Sequence, residues 1–222
     1  MKLQDYFSEA YYINLDKRTD RRESFEKELS KYNLNNFVQR FSASMDATHT
    51  PLDDYSRLRA CSLSHYNLIK LAKEKNLKNI LIFEDDAFFY NSDTYRGIDI
   101  VEAALDDLQK FNDWHVFHLG GLVIDSELKK VSKNLLKANS ILTTHAYAFN
   151  NTIYDFILNK FNPHLDSTLD GWLSARNEII KYIVYPVSVP QTEGYSDCDA
   201  HGKSMGIFPF IHTFNKTIID IS

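Results

Sequence analysis

The feature of this sequence that most constrains its fold is a regular alternation of short apolar runs with longer amphipathic stretches. Runs such as AYYINL and NILIF have the length of buried strands, and in the stretches between them apolar residues recur every three to four positions. This alternation is typical of βαβ units. It predicts an α/β protein with a mostly parallel central sheet flanked by helices.

The same pattern gives approximate positions for the elements. Strands are expected at residues 10–15, 37–42, 79–83, 115–119, 140–149 and 179–185, and helices from about 19, at 60–75, at about 100–111, at 152–161 and at 169–178. Residues 45–59 are predicted to be a loop, and the chain from about 186 to 222 an irregular segment that either closes over a ligand or is disordered. Without a repeat or a flexible linker, residues 1–222 are expected to form a single domain.

Charge and composition exclude several classes of function. The formal charge is −5 and the isoelectric point about 5.9, so a general attraction to nucleic acid or anionic lipid is not expected, although a local basic patch can still bind phosphate. Cys61 and Cys198 fit neither a metal motif nor a disulfide scaffold and are predicted to be ordinary thiols. The sequence shows neither a signal peptide nor an apolar membrane span, which predicts a cytoplasmic location.

Three consecutive carboxylates follow the strongest apolar run, in the stretch ILIFEDDAFFY. Two unit charges about 4 Å apart repel by about 4 kcal/mol at an effective dielectric of about 20, so Glu84, Asp85 and Asp86 must lie in water or hold a cation. Hard oxygen ligands at the carboxyl end of a strand suit Mg²⁺ or Mn²⁺ shared with a diphosphate. A solvated turn capped by one of the carboxylates is the alternative.

Four cations within six residues follow the first strand, in the segment DKRTDRR. If a helix starts near Thr19 as its N-cap, Arg21 and Arg22 lie in the first turn, where the helix dipole disfavours positive charge by up to about 1 kcal/mol each. A nearby anion would offset this cost, and arginine presents a planar donor fork suited to phosphate. The alternative for this segment is a solvated basic face paired with Glu23, Glu26 and Glu28.

Two motifs in the first 90 residues carry a family resemblance. The stretches YYINLDKRTDRRESFEKEL and ACSLSHYNLIKLAKEKNLKNILIFEDDA closely resemble, in order and spacing, the leading motifs of glycosyltransferase family 25. That family includes bacterial lipooligosaccharide galactosyltransferases and collagen galactosyltransferase domains. The resemblance implies a GT-A (Rossmann-like) fold and a UDP-sugar donor, usually UDP-galactose or UDP-glucose. It also implies a divalent metal, usually manganese, an inverting transfer, and a glycan or glycoprotein acceptor.

The resemblance also assigns roles to residues near the donor. The acidic motif falls on Glu84, Asp85 and Asp86, with Glu84 and Asp86 in the outer, metal-binding positions of a DxD-like pattern. The expected nucleotide contacts, together with Asp85, are Asn14, Leu15, Arg18, Arg21, Arg22, Ser64 and His65. A partly buried histidine held by a backbone carbonyl is the alternative for His65.

Two glycines follow the strand that ends at His118. Gly120 and Gly121 would let a sugar approach the backbone, and a simple turn explains them equally well.

An inverting transfer needs a general base for the acceptor hydroxyl. Asp170, next to Trp172, occupies the place where this architecture usually puts the base, and Asp166 is the rival. Trp172 could stack on a sugar. A helix cap or first-turn acid is the alternative role for Asp170.

A further metal ligand is expected from the C-terminal segment. His201 fits best, and an exposed loop histidine is its alternative. A catalytically silent nucleotide-sugar or glycan-binding domain is the competing hypothesis for the whole chain. A metal-dependent phosphoryl-transfer enzyme is disfavoured, because the sequence has neither a P-loop nor a second acidic cluster at a strand end.

Overall fold

A computed structural model of the chain confirms the α/β class, with a central sheet between helices. It describes residues 1–44, 54–124, 127–166, 168–192 and 217–220. The helices are α1 Leu3–Tyr6, α2 Thr19–Ser30, α3 Asp54–Glu74, α4 Gly97–Leu108, α5 Tyr154–Lys160 and α6 Leu169–Ser174. The strands are β1 Glu9–Asn14, β2 Val38–Ser42, β3 Asn79–Glu84, β4 Val116–His118, β5 Leu122–Val123, β6 Glu127–Ser132, β7 Leu135–Ala138, β8 Ile141–Leu142, β9 Ala146–Asn150, β10 Lys181–Val184 and β11 Thr217–Asp220.

The main sheet combines parallel and antiparallel strands. Its order is β11-β6-β7-β10-β4-β9-β3-β1-β2. β1 pairs in parallel with β2 and β3, and β4 in parallel with β10, whereas β9 runs antiparallel between β3 and β4. The parallel strands expected from the sequence are therefore present, and β9 adds antiparallel pairs between them. As a result, the N-terminal end of β9 lies at the same edge as the carboxyl ends of β1 and β3.

Both faces of the central strands are buried, which explains why their sequences are continuously apolar. Ala10 and Tyr12 of β1 pack on one face with α2 and α4, while Tyr11 and Ile13 pack on the other face with α3, α5 and α6. β3 alternates in the same way, and a smaller third cluster surrounds β6, β7 and β8. Burial on both faces fixes the register of each strand, because a one-residue slip would exchange its two sets of side chains.

Several element boundaries differ from the prediction. α3 begins at Asp54, so residues 54–59 are helical rather than loop. The strand predicted over 140–149 is divided into β8 and β9 because Thr143 between them has a φ of 69°, a left-handed conformation that a strand cannot contain. α2 begins at Thr19, so its N-cap is Arg18 and not the threonine. α6 ends at Ser174, four residues before the predicted end.

The hairpin β6–β7 and the outer strand β11 were not predicted. The segments ELKKVS and LLKA are rich in lysine, glutamate and alanine, which are uncommon in strands, so their pattern gave no strand signal. The first part of the segment predicted to be irregular is ordered, because residues 188–192 run beside residues 86–90 and exchange backbone hydrogen bonds with them. In the described part of the chain, no helix has the length and apolar character that crossing a membrane requires.

Candidate active site

The end of β1 and the end of β3 meet at one edge of the sheet. Their parallel pairing places Ile13 opposite Glu84, so the next residues, Asn14 and Asp85, are neighbours. Nδ2 of Asn14 lies 2.6 Å from Oδ2 of Asp85 and also donates to the carbonyl oxygen of Arg18. Asn14 is 2% exposed, so this buried amide fixes one oxygen of Asp85.

Arg21 supplies the cation that the acidic cluster requires. Its Nη1 donates to Oδ1 of Asp85 at 2.9 Å, and its Nη2 donates to Oδ2 of Asp86 at 2.7 Å. The arginine side chain is only 18% exposed. Burial raises the pKa of Asp85 to about 6, against the opposing effects of Arg21 and Asn14. The two aspartates thus converge on one positive group, which is a third solution to the electrostatic problem beside water and a metal.

Asp86 is held from the C-terminal side of the chain as well. Nε2 of Gln191 donates to its Oδ1 at 3.3 Å, and the backbone N–H of Thr192 donates to its carbonyl oxygen at 2.8 Å. Burial and then the charge of Glu84 raise the pKa of Asp86, whereas Arg21 lowers it. The segment around Gln191 therefore forms one wall of the acidic cluster.

Glu84 faces away from Arg21 towards a buried histidine. Its Oε1 lies 3.4 Å from Nε2 of His65 and 3.4 Å from Oγ1 of Thr144. Burial alone would raise the pKa of Glu84, but the neighbouring His65 and other nearby positive groups lower it below its usual value. The other ring nitrogen of His65, Nδ1, is hydrogen-bonded to the hydroxyl of Tyr147 at 2.8 Å. His65 is thus held by side chains at the site rather than by a backbone carbonyl.

Ser64, the neighbour of His65, has a different role. Its hydroxyl donates to the carbonyl of Ala60 and accepts from the backbone N–H of Ser44, both at 2.9 Å. These bonds join the chain after β2 to α3. Ser64 therefore positions the helix that carries His65, and its hydroxyl is directed to backbone atoms.

The remaining predicted nucleotide contacts divide into two groups. Leu15 and Arg18 form the turn that closes β1, because the N–H of Arg18 donates to the carbonyl of Leu15 at 2.8 Å. The guanidinium of Arg18 pairs with Asp20 at 2.8 Å. Arg22 points outward, is 47% exposed and pairs with Glu26, so it is not part of the acidic cluster.

The two glycines after β4 make room for protein rather than for open space. A Cβ on Gly120 would lie 1.7 Å from the carbonyl oxygen of Val189, and one on Gly121 would lie 2.6 Å from Cγ2 of Ile141. The chain at Val189 fills the space that a side chain of residue 120 would take, and the approach of a sugar to Gly120 stays a prediction. The glycine lets the segment that carries Gln191 cross the sheet edge.

Asp170 is connected to the acidic cluster through the loop before β9. Its Oδ2 accepts from the N–H of Thr143 at 2.9 Å, and its Oδ1 accepts from the N–H of Gly171 at 2.8 Å. Since Thr143 precedes Thr144, which contacts Glu84, the structure brings Asp170 to the same side of the molecule. The acid lies in the first turn of α6, as its structural alternative also predicted.

Asp166 and Trp172 are directed elsewhere. Oδ2 of Asp166 accepts from the N–H of Asn162 at 2.6 Å and closes a turn before α6. Trp172 is 3% exposed and packs edge-on against Phe161, so its predicted stacking on a sugar is wrong. The ring is instead part of the core beneath α6.

His201, the predicted further metal ligand, lies outside the described residues. The fit of a divalent cation is therefore tested on the acidic cluster itself. Asp85 and Asp86 already converge on a single cation, and their carboxylate oxygens are ligands of the kind that Mg²⁺ and Mn²⁺ prefer. The two aspartates fit such an ion as protein ligands, whereas Glu84, the other residue expected to bind it, is directed to His65.

Three site residues were missed by the sequence reasoning. Arg40 of β2 donates to Oδ1 of Asn14 at 3.0 Å and also pairs with Asp16. Nε2 of His145 donates to the carbonyl oxygen of Val189 at 2.7 Å, and Thr144 contacts Glu84. The position of Arg40 at the end of a strand beside β1 was an available signal. The loop before β9 could be assigned to this edge only once the antiparallel direction of β9 was known.

A model of glycosyltransferase family 25, described as LPS biosynthesis protein, matches residues 7–163 of the chain. No curated protein is significantly similar to this sequence. A glycosyltransferase involved in glycosylation of the major capsid of PBCV-1 aligns with 8% identity over 68% of this chain and 67% of that one, with a TM-score of 0.38. A197 from STIV gives 10% identity, coverage of 82% and 84%, and a TM-score of 0.46. UDP-glucose pyrophosphorylase complexed with UDP-glucose aligns with 12% identity over 93% of this chain and 80% of that one, with a TM-score of 0.46.

Proposed function

Because this chain belongs to glycosyltransferase family 25, we propose that it transfers a hexose, galactose or glucose, from a UDP-sugar to a hydroxyl of a glycan or glycoprotein acceptor. The transfer is metal-dependent and inverts the anomeric carbon. The observation that carries this proposal is the convergence of Asp85 and Asp86 on one cation at the carboxyl edge of the sheet. Ligands of α/β sheets bind at such edges.

The residues of the edge have complementary tasks in this reaction. Asp86, with Asp85, would hold Mn²⁺ or Mg²⁺, which supplies positive charge to the departing diphosphate. Arg21 presents a planar donor fork that suits phosphate oxygens as well as carboxylates. When a nucleotide diphosphate binds, the guanidinium can exchange its aspartate partners for phosphate oxygens. Asn14 keeps Asp85 in place during this exchange through its 2.6 Å hydrogen bond.

Asp170 is the proposed general base. A carboxylate oxygen of Asp170 would take the proton of the acceptor hydroxyl as that oxygen attacks the anomeric carbon. Its hydrogen bonds from the N–H groups of Thr143 and Gly171 hold the carboxylate in one orientation. Each oxygen keeps a second lone pair for the incoming proton.

A thermal-shift titration tests the proposal. UDP together with Mn²⁺ is expected to raise the melting temperature of the wild type, and Asp86→Ala to abolish the shift. Asp93→Ala, which removes an exposed carboxylate far along the next loop, is the matched control and is expected to keep it. Hydrolysis of UDP-galactose and UDP-glucose with Mn²⁺ then identifies the donor. A wild type that binds no UDP in a metal-dependent way contradicts the proposal.

One observation favours a second candidate, a catalytically silent domain that binds a nucleotide sugar or a glycan. Both carboxylate oxygens of Asp170 accept backbone hydrogen bonds, and Asp166 closes a turn, so each candidate base has a structural task. A silent domain would bind UDP with Mn²⁺ and release no sugar from any UDP-hexose. Release of sugar that is lost in Asp170→Asn excludes it.

A further inference from the structure

A cysteine, a histidine and a glutamate meet behind the acidic cluster. Cys61 and His65 are four residues apart on α3, so their side chains lie on the same face of the helix. Glu84 reaches the same place from the end of β3. The Sγ of Cys61, a ring nitrogen of His65 and a carboxylate oxygen of Glu84 all lie within 4.8 Å of one another. Sequence alone predicts an ordinary thiol at Cys61, because Glu84 lies on a different element.

The spacing between His65 and Glu84 is that of two ligands on one ion. Nε2 of His65 and Oε1 of Glu84 are 3.4 Å apart. A charge-assisted N–H···O hydrogen bond is usually about 2.7–2.9 Å long. Two ligands each about 2.0 Å from a tetrahedral zinc ion are separated by about 3.3 Å. The observed distance therefore fits an ion between the two atoms better than a direct hydrogen bond.

The surroundings of His65 support a ligand role for its Nε2. The hydroxyl of Tyr147 lies 2.8 Å from Nδ1, the nitrogen on the other side of the ring. A ligating histidine commonly donates its second N–H to such a partner, which fixes the ring and its tautomer. The hydroxyl of Thr144 lies 3.5 Å from Nε2 of His65 and 3.4 Å from Oε1 of Glu84, so it is a neighbour of both of these atoms.

We propose that Cys61, His65 and Glu84 bind a divalent ion of the zinc class, at a site separate from the Asp85–Asp86 pair. Thiolate, imidazole and carboxylate form a ligand set typical of zinc, whereas the aspartate pair offers oxygen alone and suits Mg²⁺ or Mn²⁺. The two sites lie on opposite sides of the end of β3, since Glu84 faces α3 and the aspartates face α2. Binding displaces the thiol proton of Cys61 to solvent.

Cobalt is the probe for this site, because Co²⁺ can replace zinc and shows an absorption band when a thiolate binds it. The chelator-treated full chain is titrated with Co²⁺ in the absence of nucleotide, and then with Zn²⁺ as competitor. The wild type and Cys198→Ser are expected to show the thiolate band, and Zn²⁺ to remove it. Cys61→Ser is expected to lose the band, which assigns it to this cysteine.

A second variant keeps the proposal testable if Cys61→Ser fails to fold. Tyr147→Phe retains the ring and all three ligands, removes the hydroxyl beside Nδ1, and is expected to weaken Co²⁺ binding about tenfold. A wild type without a thiolate band, or a band that persists in Cys61→Ser, overturns the proposal. Because the titration contains no nucleotide and the UDP titration contains Mn²⁺ alone, this inference and the proposed function fail separately.

Discussion

The guanidinium of Arg21 lies 2.7 Å from the carboxylate of Asp86, 65 residues further along the chain, and its other amino group binds Asp85. An internal cation therefore stands where a divalent ion is expected to bind. Binding of that ion must displace or share this cation, because both require the same carboxylate oxygens. A diphosphate that binds the guanidinium of Arg21 in place of the aspartates would therefore raise the affinity of the two aspartates for a metal ion.

Arg21→Gln is expected to strengthen binding of Mn²⁺ in the absence of nucleotide, because the competing cation is removed. The same change leaves two buried carboxylates without their partner and is expected to lower the free energy of unfolding by about 2 kcal/mol. Isothermal titration with Mn²⁺ and urea unfolding measure the two effects. Arg22→Gln, one residue away but exposed and paired with Glu26, is the matched control, with a change below about 0.5 kcal/mol. Weaker Mn²⁺ binding in Arg21→Gln would contradict the competition.

Asp170→Asn separates a base from a structural acid. The asparagine keeps an oxygen for the N–H of Thr143 but cannot take a proton, so turnover is expected to fall about 100-fold or more while UDP affinity is retained. Asp166→Asn is the matched comparison and is expected to keep its turnover. Initial rates of sugar transfer or donor hydrolysis measure the difference. Full activity in Asp170→Asn would exclude this residue as the base.

Gly120→Ala is expected to destabilise the protein by about 3 kcal/mol, because the new methyl group would overlap the backbone carbonyl of Val189. The displaced segment carries Gln191, so the affinity for UDP and Mn²⁺ should fall as well. Gly121→Ala meets a side chain methyl of Ile141, which can move, and is expected to cost about 1 kcal/mol. Urea unfolding of the two variants measures the contrast, and equal costs would contradict it.

His118→Phe is expected to reduce the sensitivity of folding to acid. Burial lowers the pKa of His118 from its usual 6.5 to about 3, and within the described part of the chain neither ring nitrogen has a hydrogen-bond partner. Between these two pKa values the unfolded chain binds a proton that the folded chain does not. The titration of His118 therefore does not reduce the free energy of unfolding above about pH 6.5. Below that pH, proton binding to His118 in the unfolded chain lowers the free energy of unfolding by up to about 1.4 kcal/mol per pH unit.

Urea unfolding of the wild type and of His118→Phe at several pH values between about 7.5 and 4.5 tests this sign. The free energy of unfolding of the variant, minus that of the wild type, should increase as the pH falls. At the upper end the variant should be at least as stable as the wild type, because it buries no unpaired nitrogen. A difference independent of pH would contradict the lowered pKa.

The parts of the fold that follow from local pattern were predictable. β1 and β3 are continuously apolar because both of their faces are buried, and the acidic residues at the end of β3 signalled the site. The hairpin β6–β7 was not predictable, because its lysines carry no strand pattern. The direction of β9, which brings Thr144 and His145 to the site, depends on pairing between strands that are about 65 residues apart.

Within the site, the residue types were predictable and their pairing was not. The sequence pointed to Arg21, Asp85 and Asp86 as residues that handle charge, but not to their direct contact. Cys61 and His65 at a spacing of four residues were an available signal for a metal, which lacked a third ligand until Glu84 was placed beside them. Side chains on different elements meet through packing, and no local pattern records that.

The Arg21 contact also bears on the order in which the protein folds. Arg21, Asp85 and Asp86, together with Asn14, all belong to the first 86 residues, which form β1, α2, β2, α3 and β3. Two carboxylates buried without a partner would oppose the docking of β3, and the arginine offsets this penalty without any residue from a later strand. An early nucleus made of these elements would therefore carry its own charge compensation, and ligand binding would become possible only after β9 and the chain around Gln191 complete the edge.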